Sequence, residues 1–234
     1  MQLAPDLIVG LGDLQYEKGA ADDFSSRYAL SWGTMKDITF PVPGNHEYVT
    51  EGASGYYSYF EGRQPGSPGY YSFTAGAWRI YALNSNCSEI DCAAQEQWLH
   101  DQVATDQEKC SIVAWHHPVF NSGVHGNSEY MLDTWRIAAD GGAEILLVGH
   151  EHAYERFAPM NGEGSADPVG LTSFTVGTGG KNLYRVKKRL ANSKVWLDQD
   201  FGVLVLDLHS HGASWSFESI SGKSLDAGSL GCHA

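Results

Sequence analysis

Four short blocks of this sequence carry side chains that bind hard or borderline metal ions. They are Gly12-Asp13-Leu14-Gln15-Tyr16, Gly44-Asn45-His46-Glu47, Val113-Ala114-Trp115-His116 and Gly149-His150-Glu151-His152. A carboxylate such as Asp13 bridges two cations through both oxygens or through one shared oxygen. Tyr16, three residues on, offers a phenolate, a hard donor that suits a trivalent ion such as Fe³⁺. Asn45 brings a neutral oxygen, which leaves the adjacent His46 to face a substrate. His116 brings an imidazole at the end of an apolar run. His150 and His152 stand two apart, so in an extended segment their rings share a face and each can serve one ion of a close pair. His117 points away from His116 on an extended chain, which predicts a structural role for it. One block alone is an ordinary turn, whereas four in this order predict a metal-dependent active site.

The blocks must be positioned by the elements that precede them. Residues 5–12 read as a buried strand ending in glycines, 38–42 as a second strand broken by Pro43-Gly44, and 111–115 and 144–148 as strands ending at His116 and Gly149-His150. Phe24, Tyr28, Trp32 and Met35 recur at three- and four-residue steps, predicting one helical face over 20–36. Further helices are predicted over 93–103 and 129–139. Residues 69–74 and 78–83 form an antiparallel pair, and 173–176, 201–208 and 214–218 read as more strands. The pattern predicts one mixed α/β domain over 1–234, with ligands beyond the carboxyl ends of its strands.

Composition sets outer bounds. The chain has 234 residues, 42% of them hydrophobic, enough for a sizeable core. Its net charge of −13 argues against nucleic acid as a partner, because phosphate neutralisation needs a basic face. No apolar run is long enough to span a bilayer, so no membrane partner is expected, and Met1–Asp6 lacks the character of a signal peptide. The basic run from Lys181 to Lys194 reads as a solvated loop, with a substrate-facing patch as the alternative. Four cysteines (Cys87, Cys92, Cys110 and Cys232) allow three disulfide connectivities, with Cys87 and Cys92 placed to clip a loop. An even count without metal spacing leans toward an extracytoplasmic or secreted location. The metallo-β-lactamase pattern His-x-His-x-Asp-His is absent, since Tyr154 and Glu155 follow His152.

The ordered motifs resemble those of the calcineurin-like metallophosphoesterases, and Tyr16 points to the purple acid phosphatase branch. His152-Ala-Tyr-Glu-Arg156 and Phe174–Gly180 extend the resemblance over most of the chain. It implies two mixed β-sheets packed as a sandwich flanked by helices, and hydrolysis of small phosphate esters, mono- or diester, by metal-bound hydroxide. Two ions are implied, Fe paired with Zn, Fe or Mn. Asp13 would bridge them, Tyr16 and His152 would bind one, and Asn45, His116 and His150 the other. His46 and His125 (in Ser122-Gly-Val-His125-Gly126) would contact the phosphate and protonate the leaving oxygen, with Arg156 and Glu155 as a salt bridge beneath.

The sequence departs from the family's pattern at one point. It lacks the earlier aspartate motif on a first strand, and Asp6 does not replace it. The tyrosine-side ion would then bind weakly, and a sheet without that strand would expose edges able to pair with another copy. The alternative reading is a mononuclear or inactive truncated homologue serving as a metal-binding or interaction module.

Overall fold

Ile145-Leu-Leu-Val148 is apolar at every position, a pattern that suits a strand covered on both faces. In the computed structural model, which describes residues 3–108 and 110–233, all four residues are buried. This strand (β6, Ile145–Val148) is the middle member of a seven-stranded sheet. On one side lie β5 (Cys110–Ala114), β4 (Trp78–Ala82) and β3 (Tyr71–Ala75). On the other lie β8 (Thr172–Val176), β7 (Tyr154–Phe157) and β9 (Ser193–Leu197). β4, β5, β6 and β8 pair in parallel, whereas β3–β4, β7–β8 and β7–β9 are antiparallel. The parallel strands therefore end on one edge.

Alternation along the strands divides the core in two. Tyr81, Val113, Leu146 and Val148 face Leu99 of helix α4 (Cys92–Thr105) and Trp135 and Ala138 of helix α5 (Leu132–Asp140). Ile80, Ile112, Ala114, Ile145, Leu147 and Phe174 face a second layer. That layer holds a parallel pair, β1 (Ile8–Leu11) with β2 (Thr39–Val42), and an antiparallel meander of β10 (Gly202–His209), β11 (Gly212–Ser219) and β12 (Ser224–Gly231). Val9 and Leu11 join Phe217, Leu225 and Leu230 over the same apolar face. The predicted sandwich of two mixed layers with flanking helices is the observed architecture.

Covalent and ionic ties cross the layers. Cys87 pairs with Cys92, clipping the loop before α4, and Cys110 at the start of β5 pairs with Cys232 after β12. Arg156 on β7 meets Asp226 on β12 at 2.7 and 2.9 Å, and the Tyr154 hydroxyl donates to the same carboxylate. The expected Arg156–Glu155 salt bridge is thus corrected. Strand neighbours face opposite sides, and Glu155 instead accepts from the backbone N–H and hydroxyl of Ser122.

The helix predicted over 20–36 is also corrected. Only Ala21–Ser26 (α1) is α-helical, followed by 3₁₀ turns at Tyr28–Leu30 and Trp32–Ile38. Arg27 and Ser31 leave helical geometry, and a side chain at position 33 would strike the Tyr28 carbonyl and the Tyr59 hydroxyl. Phe24 and Tyr28 still share one buried cluster with Tyr56 of helix α3 (Ser54–Tyr59) and with Phe60, whereas Trp32 reaches the surface.

Candidate metal centre

The loop after β1 and the loop after β2 are fastened together by one buried carboxylate. Glu47 lies in a short helix, α2 (Asn45–Tyr48), and is fully buried. It accepts the backbone N–H groups of Asp13, Leu14, Gln15 and Gly44 at 2.7–3.3 Å. Burial, reinforced by the neighbouring Asp13, pushes the Glu47 carboxyl up to about 6 despite those donors. Gly12 adopts a positive φ where an added Cβ would collide with the His116 ring and the Gly44 backbone. Asp13 at φ 51° and His150 at φ 65° are two of the three non-glycine residues with positive φ among the described residues. Each such placement costs about 1–3 kcal/mol and must be held by its surroundings.

Once fastened, the first set of donor atoms converges. His116 is buried, and its Nδ1–H donates to the Leu11 carbonyl at 2.7 Å, so its Nε2 faces the centre. That Nε2 stands 3.2 Å from Asp13 Oδ2, 3.2 Å from Asn45 Oδ1 and 3.2 Å from His150 Nδ1, and His150 Nδ1 is 3.1 Å from Asn45 Oδ1. Two oxygens and two ring nitrogens thus meet with their lone pairs directed together. Donors about 2.0–2.2 Å from one ion lie roughly 3.0–3.5 Å apart, which these spacings fit. Burial opposes charge on His116, but Asp13 beside it outweighs burial and raises the imidazole above its ordinary value. Burial, with the charge of His116, holds His150 down to about 3. Burial likewise opposes charge on Asp13, yet His116 and the His46 N–H hold its carboxyl well below the usual range.

A second set adjoins the first through one atom. Asp13 Oδ2 is also 3.3 Å from the Tyr16 hydroxyl, which is 3.1 Å from His152 Nε2. His152 Nδ1–H donates to the Asn182 carbonyl at 2.7 Å, leaving Nε2 as a lone pair. Burial, then Asp13, raises the Tyr16 phenol, so a phenolate forms there only against a cation. The left-handed turn at His150 corrects the expected extended segment. It sends His150 toward Asn45 and His152 toward Tyr16, one to each set.

A cavity of about 180 Å³ opens over both sets, and His46 and His125 stand in its wall. All eight residues proposed from the sequence (Asp13, Tyr16, Asn45, His46, His116, His125, His150 and His152) therefore meet at one place. His117 approaches as well, with ring nitrogens of His116, His117 and His150 within 4.8 Å of one another. Its Nδ1 is 2.7 Å from Ser85 Oγ, which already accepts the backbone N–H groups of His116 and His117. The Ser85 proton therefore goes to His117 Nδ1, and the far nitrogen of His117 carries an N–H instead of a free lone pair. Burial, followed by His116 and His150, holds its pKa down to about 2.

Three residues of the wall, Glu17, Lys181 and Tyr184, were not among the site residues proposed from the sequence, although the alternative reading of the basic run covers Lys181. Lys181 pairs with Glu17 and its Nζ lies 4.4 Å over the Tyr16 ring, whereas the rest of the basic run, Arg185 and Lys187–Arg189, is exposed as expected. Tyr184 stacks on the His152 ring at 4.2 Å with the planes 8° apart. The basic run was the available signal for Lys181, while Tyr184 had none.

Residues 2–154 match the family model described as calcineurin-like phosphoesterase. Purple acid phosphatase 18 of Arabidopsis thaliana is 32% identical over 133 residues, covering 54% of this chain and 30% of that protein. Purple acid phosphatase 15 of the same plant is 26% identical over 215 residues, covering 76% and 40%. The chain spans less than half the length of these relatives. The purple acid phosphatase PPD1 from seeds of yellow lupin (Lupinus luteus) superimposes with a TM-score of 0.72 at 17% identity, over 97% of this chain and 46% of that one. This last likeness bears on the fold.

Proposed function

Starting from the chain's membership of the calcineurin-like phosphoesterase family, and its likeness to purple acid phosphatases, we propose that residues 1–234 form one catalytic domain that hydrolyses small phosphate esters. The observation that carries this reading is the position of Asp13 Oδ2, 3.2 Å from His116 Nε2 and 3.3 Å from the Tyr16 hydroxyl, where it belongs to both donor sets at once. In this reading Asn45, His116 and His150 would hold one ion and Tyr16 and His152 the other, with Asp13 available to both. The phenol of Tyr16 favours Fe³⁺ on its side, with Zn, Fe or Mn opposite. Bound there, the ions polarise phosphoryl oxygens and lower the pKa of water from about 15.7 toward about 7.

The protein's own groups do the rest. His46 donates Nδ1–H to the Glu17 carbonyl at 2.7 Å, which turns Nε2 to the cavity, where the doubly protonated ring would donate to a phosphoryl oxygen. His125 passes a proton to the leaving oxygen. Lys181 supplies positive charge beside the phosphate. The net charge of −13 argues against nucleic acid as the substrate, and the two disulfides support an extracytoplasmic or secreted setting.

One observation favours a mononuclear second reading. The Asn45 side converges four donors, counting Asp13, whereas the Tyr16 side converges three among the described residues. Elemental analysis after reconstitution, paired with hydrolysis of p-nitrophenyl phosphate, tests both. Two ions per chain with turnover support the binuclear enzyme. One ion with slow turnover supports the mononuclear form. No ion and no turnover overturn the assignment.

A further inference from the structure

Glu151 stands between two of the proposed ligands, yet its side chain turns away from both ions' donor sets. It is fully buried, and the loop over 121–126 is wrapped around its carboxylate. Asn121 Nδ2 donates to Glu151 Oε2 at 2.8 Å, and the Asn121 carboxamide oxygen accepts the Gly123 N–H. A Cβ at position 123 would collide with the Glu151 carboxyl group, so only glycine lets the loop close this tightly. The other two groups on Oε2 come from one residue: the His125 backbone N–H at 3.1 Å and His125 Nδ1 at 3.2 Å. Glu151 Oε1 has no hydrogen-bond partner among the described residues.

From this geometry we infer that Glu151 is the positioning residue for His125, fixing both the tautomer and the direction of its ring. An oxygen that already accepts two N–H groups has no place for a proton of its own, so Nδ1 must be the donor. Nδ1–H is committed to Glu151, and Nε2 is the nitrogen left free on a ring whose centroid lies 4.3 Å from that of His150 and 5.4 Å from that of Tyr184. The His125 side chain is 36% exposed, so without this anchor it would turn in solvent. Carboxylates orient metal-ligating histidines in the same way, but here the oriented ring is the proton carrier. The inference rests on the phosphoesterase reading for the use of His125, though the orientation itself does not.

Two measurements test it. In ¹⁵N-labelled, metal-free protein, long-range ¹H–¹⁵N spectra, with His125 assigned by its loss in His125→Ala, should show one tautomer protonated on Nδ1. Glu151→Gln, and Glu151→Asp with its shorter reach, should show a tautomer mixture. A neutral His125 protonated on Nε2 alone, or an unchanged spectrum in both variants, overturns the inference; the doubly protonated ring, which carries the transferable proton on Nε2, keeps Nδ1–H and agrees with it. In the metal-loaded enzyme, Glu151→Gln should lower turnover of an alkyl phosphate about 10–100-fold at unchanged metal content. It should lower turnover of p-nitrophenyl phosphate less, because that leaving group needs little protonation. In a His125→Ala background the substitution should add nothing, and an equal loss in both backgrounds overturns the inference. If no form of the protein hydrolyses either ester, the phosphoesterase reading fails and the spectra alone judge Glu151.

Discussion

The two halves of the centre share Asp13 and are otherwise built differently. On the Asn45 side the donors sit on loops that Glu47 ties together through four backbone N–H groups, and His116 is locked from behind by the Leu11 carbonyl. On the Tyr16 side, His152 is held by the Asn182 carbonyl and the stacked Tyr184, both from a long irregular segment. Lys181 of that segment also places a positive charge 4.4 Å over the Tyr16 ring. The first half is a preformed pocket of lone pairs. The second is a more open set that must work beside a fixed cation. On the proposed reading the first half would hold its ion more firmly than the second, whose charge the Tyr16 phenolate would offset.

That contrast fails if the halves lose function together. His150→Ala removes a donor from the firm side and should lower turnover by about 1,000-fold, the equivalent of several kcal/mol of lost charge stabilisation. Asn45→Ala should behave alike, with circular dichroism unchanged, and full activity in either variant would sink the proposed centre. Tyr16→Phe should act more selectively. Its second ion should bind about 10–100-fold more weakly while the first stays bound, as elemental analysis after dialysis would report. Equal loss of both ions would show that the halves are one cooperative unit.

The firm half was also the more legible one. Its ligands follow apolar strands such as Ile112-Val-Ala and Ile145–Val148, and glycine or proline marks where each strand stops. Those apolar runs therefore placed them at the carboxyl ends of strands, on two different sheets, from the sequence alone. The supporting carboxylates were not legible. Glu47 acts on residues 32–34 positions away, and Glu151 on His125, 26 positions away, across loops without a pattern. Tyr184 reaches the site because its backbone N–H donates to the His152 carbonyl, a contact that no local spacing encodes. The helical period over 20–36 was real for Phe24 and Tyr28, but the backbone leaves helical geometry at Arg27 and again at Ser31, which ends the helix that the period implied.

The braces beneath the two halves allow finer tests. Glu47→Gln sets an amide NH₂ against backbone donors that need an acceptor, and should cost about 1–3 kcal/mol in urea unfolding. Because it holds the Asp13 and Asn45 loops together, it should also weaken the firm ion first.

The corresponding brace on the open half is Asp226, which receives Arg156 and Tyr154 from β7, the strand that follows His152. Burial opposes charge on Asp226, but hydrogen bonds from Arg156 and Tyr154 outweigh it and hold the carboxyl below its ordinary value. A carboxyl depressed in the folded state binds its proton more readily in the unfolded chain. Its contribution is therefore complete above the unfolded pKa of about 3.9 and is lost as pH falls through the lower folded value. Asp226→Asn should accordingly destabilise by about 1–2 kcal/mol at pH 7, with the gap between variant and wild type closing below about pH 4. Urea midpoints compared from pH 3 to 7 would show that convergence, and a gap that stays constant would mean that Asp226 acts by shape alone. In the same variant the Tyr16-side ion should loosen while the Asn45-side ion does not, since only His152 continues into the strand that Asp226 anchors.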